Sequence, residues 1–129
     1  MVHIALLAVS LVWLVGGAAY AQDAAAGEKA FTVCRTCHQI GPNAKNAIGP
    51  SLNGVVGRKA GTYPDFNYSD ANKNSDLTWD EATLQTYLPN PQVVVKGTKM
   101  TFPGLKDPQK VKDVIAFLKQ YKPDGSKAQ

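Results

Sequence analysis

Among its 129 residues the chain has only two cysteines, two histidines and two methionines, and aromatics make up 9%. Each scarcity excludes something. A structural zinc site needs four ligands, and beside Cys34, Cys37 and His38 the sequence offers only His3, which falls in a leader expected to be removed. A disulfide between Cys34 and Cys37 would close a very short loop and add little stability. No Lys or Arg occurs before Lys29, which argues against a mitochondrial transit peptide. Between His38 and Leu77 no apolar–polar alternation of a strand persists. The net charge is +4, but the lysines form no cluster or stripe. That pattern does not suit nucleic acid, and an acidic protein partner fits a mildly basic surface better.

Long apolar runs are also scarce, and the one present stands at the start. Ile4 to Val15 is almost unbroken apolar sequence, followed by Ala19-Tyr20-Ala21. This is the h-region and small-residue cleavage pattern of a secretory signal peptide, so residues 1–21 are expected to be cleaved. An uncleaved membrane anchor is the other reading, since Val2 to Ala21 approaches spanning length. Removal leaves residues 22–129 as one small domain, with a frayed tail after about residue 122. Export points to a bacterial periplasm. Apolar residues are 44% of the whole chain, yet the leader inflates that figure. The rest is lean for a domain that must make its own core.

What is present begins with Cys34-Arg35-Thr36-Cys37-His38. Two thiols three residues apart point along one face of a helical turn, where they can add to the two vinyl groups at a haem edge. An imidazole directly after the second thiol can reach the iron, which makes the run the attachment signature of a c-type haem. A thioredoxin-like dithiol also uses C-x-x-C, but it follows a strand. Here the approach, Ala24 to Val33, is helical in character. The alternative left open is a redox-active dithiol without haem.

Three helices are expected. One runs from about Ala24 into the motif, with Asp23 as N-cap. A second follows a capping box, Thr78-Trp79-Asp80-Glu81, and ends before Pro89 and Pro91. The third starts with Asp107 as N-cap and Pro108 at the first helical position. Its Val111, Val114, Ile115, Leu118 and Tyr121 keep a helical rhythm. Between His38 and Leu77 the chain is rich in Gly, Pro and Asn, with one helical turn expected around Ser69 to Asn74. So long an irregular stretch is unusual in a compact domain. A large apolar cofactor resolves this, because loops wrapped on it can bury Ile48, Leu52, Val55 and Val56 there. The expected fold class is therefore all-α, helices and long loops around one covalently attached haem.

Met1 leaves with the leader, so a thioether ligand to the iron must be Met100. It lies in a polar loop, between Lys99 and Thr101, where a core-filling methionine would be out of place. Thioether sulfur favours ferrous iron and raises the reduction potential. A six-coordinate His38/Met100 site leaves no position for oxygen or peroxide and carries electrons.

With Gly49-Pro50-Ser51-Leu52, Gly57-Arg58-Lys59, Tyr68-Ser69-Asp70-Ala71-Asn72, Leu77-Thr78-Trp79, Tyr87-Leu88 and Gly97-Thr98-Lys99-Met100 added, the chain from Gly27 to Tyr121 resembles a class I cytochrome c. The likeness is to mitochondrial cytochrome c and the small bacterial cytochrome c-two proteins. The resemblance implies roles. Pro50 would accept a hydrogen bond from the His38 ring, and Arg58, Tyr68 and Trp79 would hold a buried haem propionate. Tyr87 and Thr98 would be the hydroxyls near the methionine and the propionates, with Asn72 in the same network and Phe102 shielding the haem. Gly27 and Phe31 would cross the last helix at Leu118 and Tyr121. The family usually has a proline where this chain has Lys96.

The function this implies is not an enzyme's. It is a soluble, monomeric, periplasmic one-electron carrier with one haem c. The partners implied are membrane redox complexes with acidic docking surfaces: a cytochrome bc complex as donor, and an oxidase, a photosynthetic reaction centre or another periplasmic acceptor. Lys45, Lys96, Lys99 and Lys106, and with them Lys29 and Lys59, could surround the exposed haem edge. If Met100 were off the iron, a ligand-binding or peroxidase-like haem protein would be the alternative.

Overall fold

The computed structural model describes residues 22–128; the expected signal peptide lies outside them. Helix α1 spans Ala24–Ala30 and runs directly into a 3-10 turn, Phe31–Cys34. Asp23 caps α1, its carboxylate accepting from the Ala25 and Ala26 N–H groups. Ser69 caps the single turn of α2, Asp70–Lys73. The chain continues through α3, Glu81–Tyr87, and α4, Pro91–Val94, to α5, Pro108–Lys119. Among the described residues there is no strand, only two isolated bridges, Lys59 with Thr78 and Tyr121 with Lys127.

Two local expectations are corrected and one is extended. Asp80, not Thr78, caps α3, accepting from the Thr83 N–H at 2.7 Å. Thr78 is engaged in its bridge to Lys59, so its backbone is not available to begin a helix. Pro91 does not merely stop α3. It opens α4 at the first helical position, where a missing N–H costs nothing. Nor do residues 122–128 read as a frayed tail. Residues 122–128 turn back on themselves, with the Lys122 N–H donating to the Ser126 carbonyl and the Gly125 N–H to that of Lys122, both at 2.9 Å.

The helices pack by a close crossing of α1 on α5. A Cβ on Gly27 would overlap the Asp113 carbonyl and come within 2.9 Å of the Phe117 Cβ, so only glycine lets the backbones approach. At Gly27 the crossing therefore meets Asp113 and Phe117, about one turn before Leu118 and Tyr121. Phe31 and Phe117 pack with ring centroids 5.1 Å apart, and Phe117 meets Tyr121 at 5.4 Å. Asp113, buried at the same contact, accepts from the Asp23 N–H at 3.0 Å and from the Gln109 side chain at 2.9 Å. Val114, Ile115 and Phe117 are essentially fully buried, each such side chain contributing roughly 1.5–3 kcal/mol. This crossed pair is the platform that presents the 3-10 turn and its cysteines.

Candidate cofactor site

One cavity of about 430 Å³ collects the two attachment cysteines, both expected iron ligands and the residues expected on the propionate side. Cys34, Cys37 and His38 reach it from the end of the 3-10 turn, and Pro50 and Arg58 from the long loop. Tyr68 and Asn72 come from the α2 region, Trp79 and Tyr87 from α3 and its approach, and Thr98 and Met100 from the loop before α5. Leu84, Leu88, Val114 and Leu118 line it on the helix side, and Leu52, Val55 and Phe66 on the loop side. Phe102 is there as well. Val56 is not; it packs against the protein core instead. Ile48, expected to be buried, is 75% exposed on the cavity's rim, with Val33 beside it in the lining.

The His38 ring is held in a defined orientation. Its Nδ1 lies 2.8 Å from the Pro50 carbonyl oxygen, so Nδ1–H donates and Nε2 is left free. A Cβ on Gly49 would sit 2.7 Å from Nδ1, so glycine is needed beside the ring. Burial holds the His38 pKa below the usual imidazole value, outweighing the upward pull of the Pro50 carbonyl, with the Arg58 charge adding to the lowering. The neutral ring, the form that binds a metal, is favoured.

Elsewhere in the cavity the polar groups converge. Tyr87 donates its hydroxyl to the Met100 sulfur at 3.7 Å, and its ring packs on Trp79 with centroids 4.5 Å apart. Burial pushes the Tyr87 phenol up to about 12, so it stays a donor at physiological pH. Arg58 donates to the carbonyls of Asn53 and Ser51 at 3.2 and 3.1 Å. The face of its guanidinium is covered by Tyr63 at 4.7 Å. Tyr68 accepts from the Tyr63 N–H at 3.2 Å. The Asn72 Oδ1 is buried and has no hydrogen-bond partner within the protein.

These features fit a haem c. The wall is largely apolar, a neutral imidazole is aimed by its Nδ1 bond, and a thioether lies within the same cavity. The half-buried Arg58 guanidinium on the cavity wall suits a carboxylate-bearing edge. The dithiol alternative loses its supports. Helix, not strand, leads to the cysteines, and burial with Cys37 nearby pushes the Cys34 thiol up to about 11, whereas reactive dithiols have depressed values.

Sequence reasoning missed Asn53, Tyr63 and Phe66. Asn53 was legible only as part of an Asn-Gly turn, and Tyr63 carries no motif. Of the lysines expected around the edge, only Lys99 lines the cavity. Its ammonium donates to the Asn67 and Tyr68 carbonyls at 3.1 and 3.5 Å. Lys106 is tied to the Pro89 carbonyl and the Asn90 side chain, and Lys59 pairs with Asp76 at 3.8 Å.

Comparison with known proteins agrees with this architecture. The cytochrome c family model matches residues 24–122, and the chain belongs to that family. It is 58% identical over 118 residues to cytochrome c2 of Rhodomicrobium vannielii, covering 91% of this chain and 93% of that protein. To cytochrome c2 of Rhodoblastus acidophilus it is 59% identical over 107 residues, 83% of this chain and all of the other. Among solved structures, cytochrome cH from Methylobacterium extorquens superposes with a TM-score of 0.71 at 54% identity, covering 75% of this chain and 97% of that one. The chain is thus an all-α class I c-type cytochrome, a mono-haem electron carrier with one haem c attached through Cys34 and Cys37.

Proposed function

We propose that this cytochrome is a soluble periplasmic shuttle in which His38 and Met100 would hold the haem iron. The observation that carries this reading is the pair of orienting contacts inside one cavity: His38 Nδ1 to Pro50, and Tyr87 to the Met100 sulfur. Bound there, the haem supplies the chemistry, one electron gained or released as iron alternates between ferric and ferrous. The protein's part is to keep everything else still. Pro50 strengthens the imidazole as a donor by polarising its N–H. Tyr87 holds the thioether in place. Arg58, Tyr68, Trp79, Asn72 and Thr98 offer charge and hydrogen bonds to the propionate side. A fixed ligand set and a dry, apolar wall keep reorganisation small. With both residues on the iron no coordination position would be left for substrate, and the protein would transfer electrons only.

The test is the visible spectrum of protein released from the periplasm of a host competent in haem attachment. Sharp α and β bands are expected on reduction, and a weak far-red band of sulfur–ferric ligation when oxidised. Met100→Leu should abolish the far-red band and leave the haem bands. If the native protein lacks that band, Met100 is off the iron and the shuttle reading fails in favour of ligand binding.

The partners this reading requires are a cytochrome bc complex as donor and an oxidase, photosynthetic reaction centre or other periplasmic acceptor. Lys45 and Lys96 are exposed, and with Lys99 they supply positive charge for docking on acidic surfaces. Raising ionic strength from about 0.01 to 0.15 M shortens the Debye length from about 30 to about 8 Å. Second-order electron transfer with such a partner should slow by about tenfold. Rates that ignore salt would remove the acidic-surface requirement.

A further inference from the structure

The loop that carries Pro50 to His38 is itself gripped from outside by the end of the chain. The Gly54 N–H donates to the Tyr121 carbonyl at 3.2 Å, and Pro123 lies against Gly54. Gly125 is buried at a φ of +84°, so close to Gly41 and Asn53 that a Cβ there would overlap the Gly41 carbonyl and sit 2.8 Å from the Asn53 Nδ2. Gly41 and Asn53 form a two-bond clamp. The Gly41 N–H donates to the Asn53 Oδ1 at 2.7 Å, and the Asn53 Nδ2 donates to the Gly41 carbonyl at 2.9 Å. Both are buried. From Asn53 the backbone passes through fully buried Ser51 to Pro50, whose carbonyl accepts from His38.

We propose that residues 122–128 form a clasp that positions His38, acting through Gly41, Asn53 and the Ser51–Pro50 backbone on the Nδ1–H···O bond. The inference rests on the reading of His38 as proximal iron ligand. Its physical basis is that the segment from His38 to Asn53 contains no helix or strand. No regular ladder holds the Pro50 carbonyl at 2.8 Å, so the clamps do. When the clasp is lost, the carbonyl moves off, the imidazole becomes a poorer donor, and ferric iron is less stabilised. The reduction potential rises. Residues 122–128 line no part of the cavity, so they act only through the loop.

The experiment uses haem-loaded protein in three variants. Truncation after Lys122 removes the clasp, and Gly125→Val dislodges it. Val111→Ala weakens a buried site that lines neither the cavity nor the clasp, and serves as the measure of lost stability alone. Global stability, the solvent exchange of the His38 ring Nδ1–H by NMR, and the reduction potential are read for each. Both clasp variants should exchange that proton about tenfold faster than Val111→Ala at matched stability, with potentials above the native one. Exchange that tracks global stability alike in all three variants, with native potentials, overturns the proposal. A native protein whose His38 ring shows no haem-shifted resonance defeats the proximal-ligand reading before any variant is made, and the clasp's role falls with it.

Discussion

Where α1 crosses α5, Ile115 and Phe117 are each 1% exposed or less and neither lines the cavity, so protein alone encloses them. Across the molecule Leu52, Val55, Phe66 and Met100 face the cavity instead, and the backbone around them runs through turns held by side-chain clamps such as Asn53 on Gly41. The two halves have different partners for their apolar surface. The helix half is closed largely by its own residues, with Val114 and Leu118 turned to the cavity, and the loop half relies on the cofactor. That division explains how a chain lean in apolar residues maintains a fold, and why so long an irregular stretch is tolerated. The helices fix the cysteines, and the loops are then free to be shaped for the iron.

Removing the haem should break the comparison most. A haem-free Cys34→Ser/Cys37→Ser double variant is expected to lose amide-exchange protection throughout the loop half, at donors such as Gly49, Leu52 and Gly57. The α1 and α5 amides should retain a measurable share, visible also as residual helical signal in circular dichroism. Equal protection in both halves would show that the loops stand without the cofactor. Next in size comes a strike at the helix half. Gly27→Val forces a Cβ into the Asp113 carbonyl and should cost about 3 kcal/mol in denaturant unfolding of the haem-bound protein. A loss under about 1 kcal/mol would mean that the crossing has slack.

The ends of α1 and α5 were legible because their signals are local: Asp23 and Asp107 each cap the helix that follows by side-chain bonds one turn away. The candidate chemistry of the site was legible for a similar reason, since thiol, imidazole and thioether are few and each suits a distinct role toward a haem. What the sequence concealed is set by distant contacts. Thr78 satisfies a capping-box pattern, but its bridge to Lys59 moves the cap to Asp80. The register of α1 on α5 depends on which residues lie opposite Gly27, and no periodicity within either helix specifies that. The tail's Lys, Asp and Gly read as solvent-exposed chain, whereas the surface that receives Gly125 is made by Gly41 and Asn53, some seventy residues or more earlier. Composition describes a segment, and order there comes from its partner.

The smallest effect sharpens the comparison at the seam between the halves, where Tyr87 of α3 meets Met100 of the loop. Burial raises the Tyr87 phenol from 10.0 to about 12. The native state therefore keeps its proton after the unfolded chain has released it. The associated stability is complete below pH 10 and is lost as pH rises from 10 through 12, a change of about 2–3 kcal/mol by linkage. Tyr87→Phe has no phenol to ionise. At neutral pH it should be about 1 kcal/mol less stable than the native protein, through the lost O–H···S contact. Above pH 10 the gap should close and then reverse. Denaturant midpoints for the two proteins between pH 8 and pH 12 measure this directly, and curves that remain parallel would mean that the Tyr87 hydroxyl reaches water and that the seam is wet.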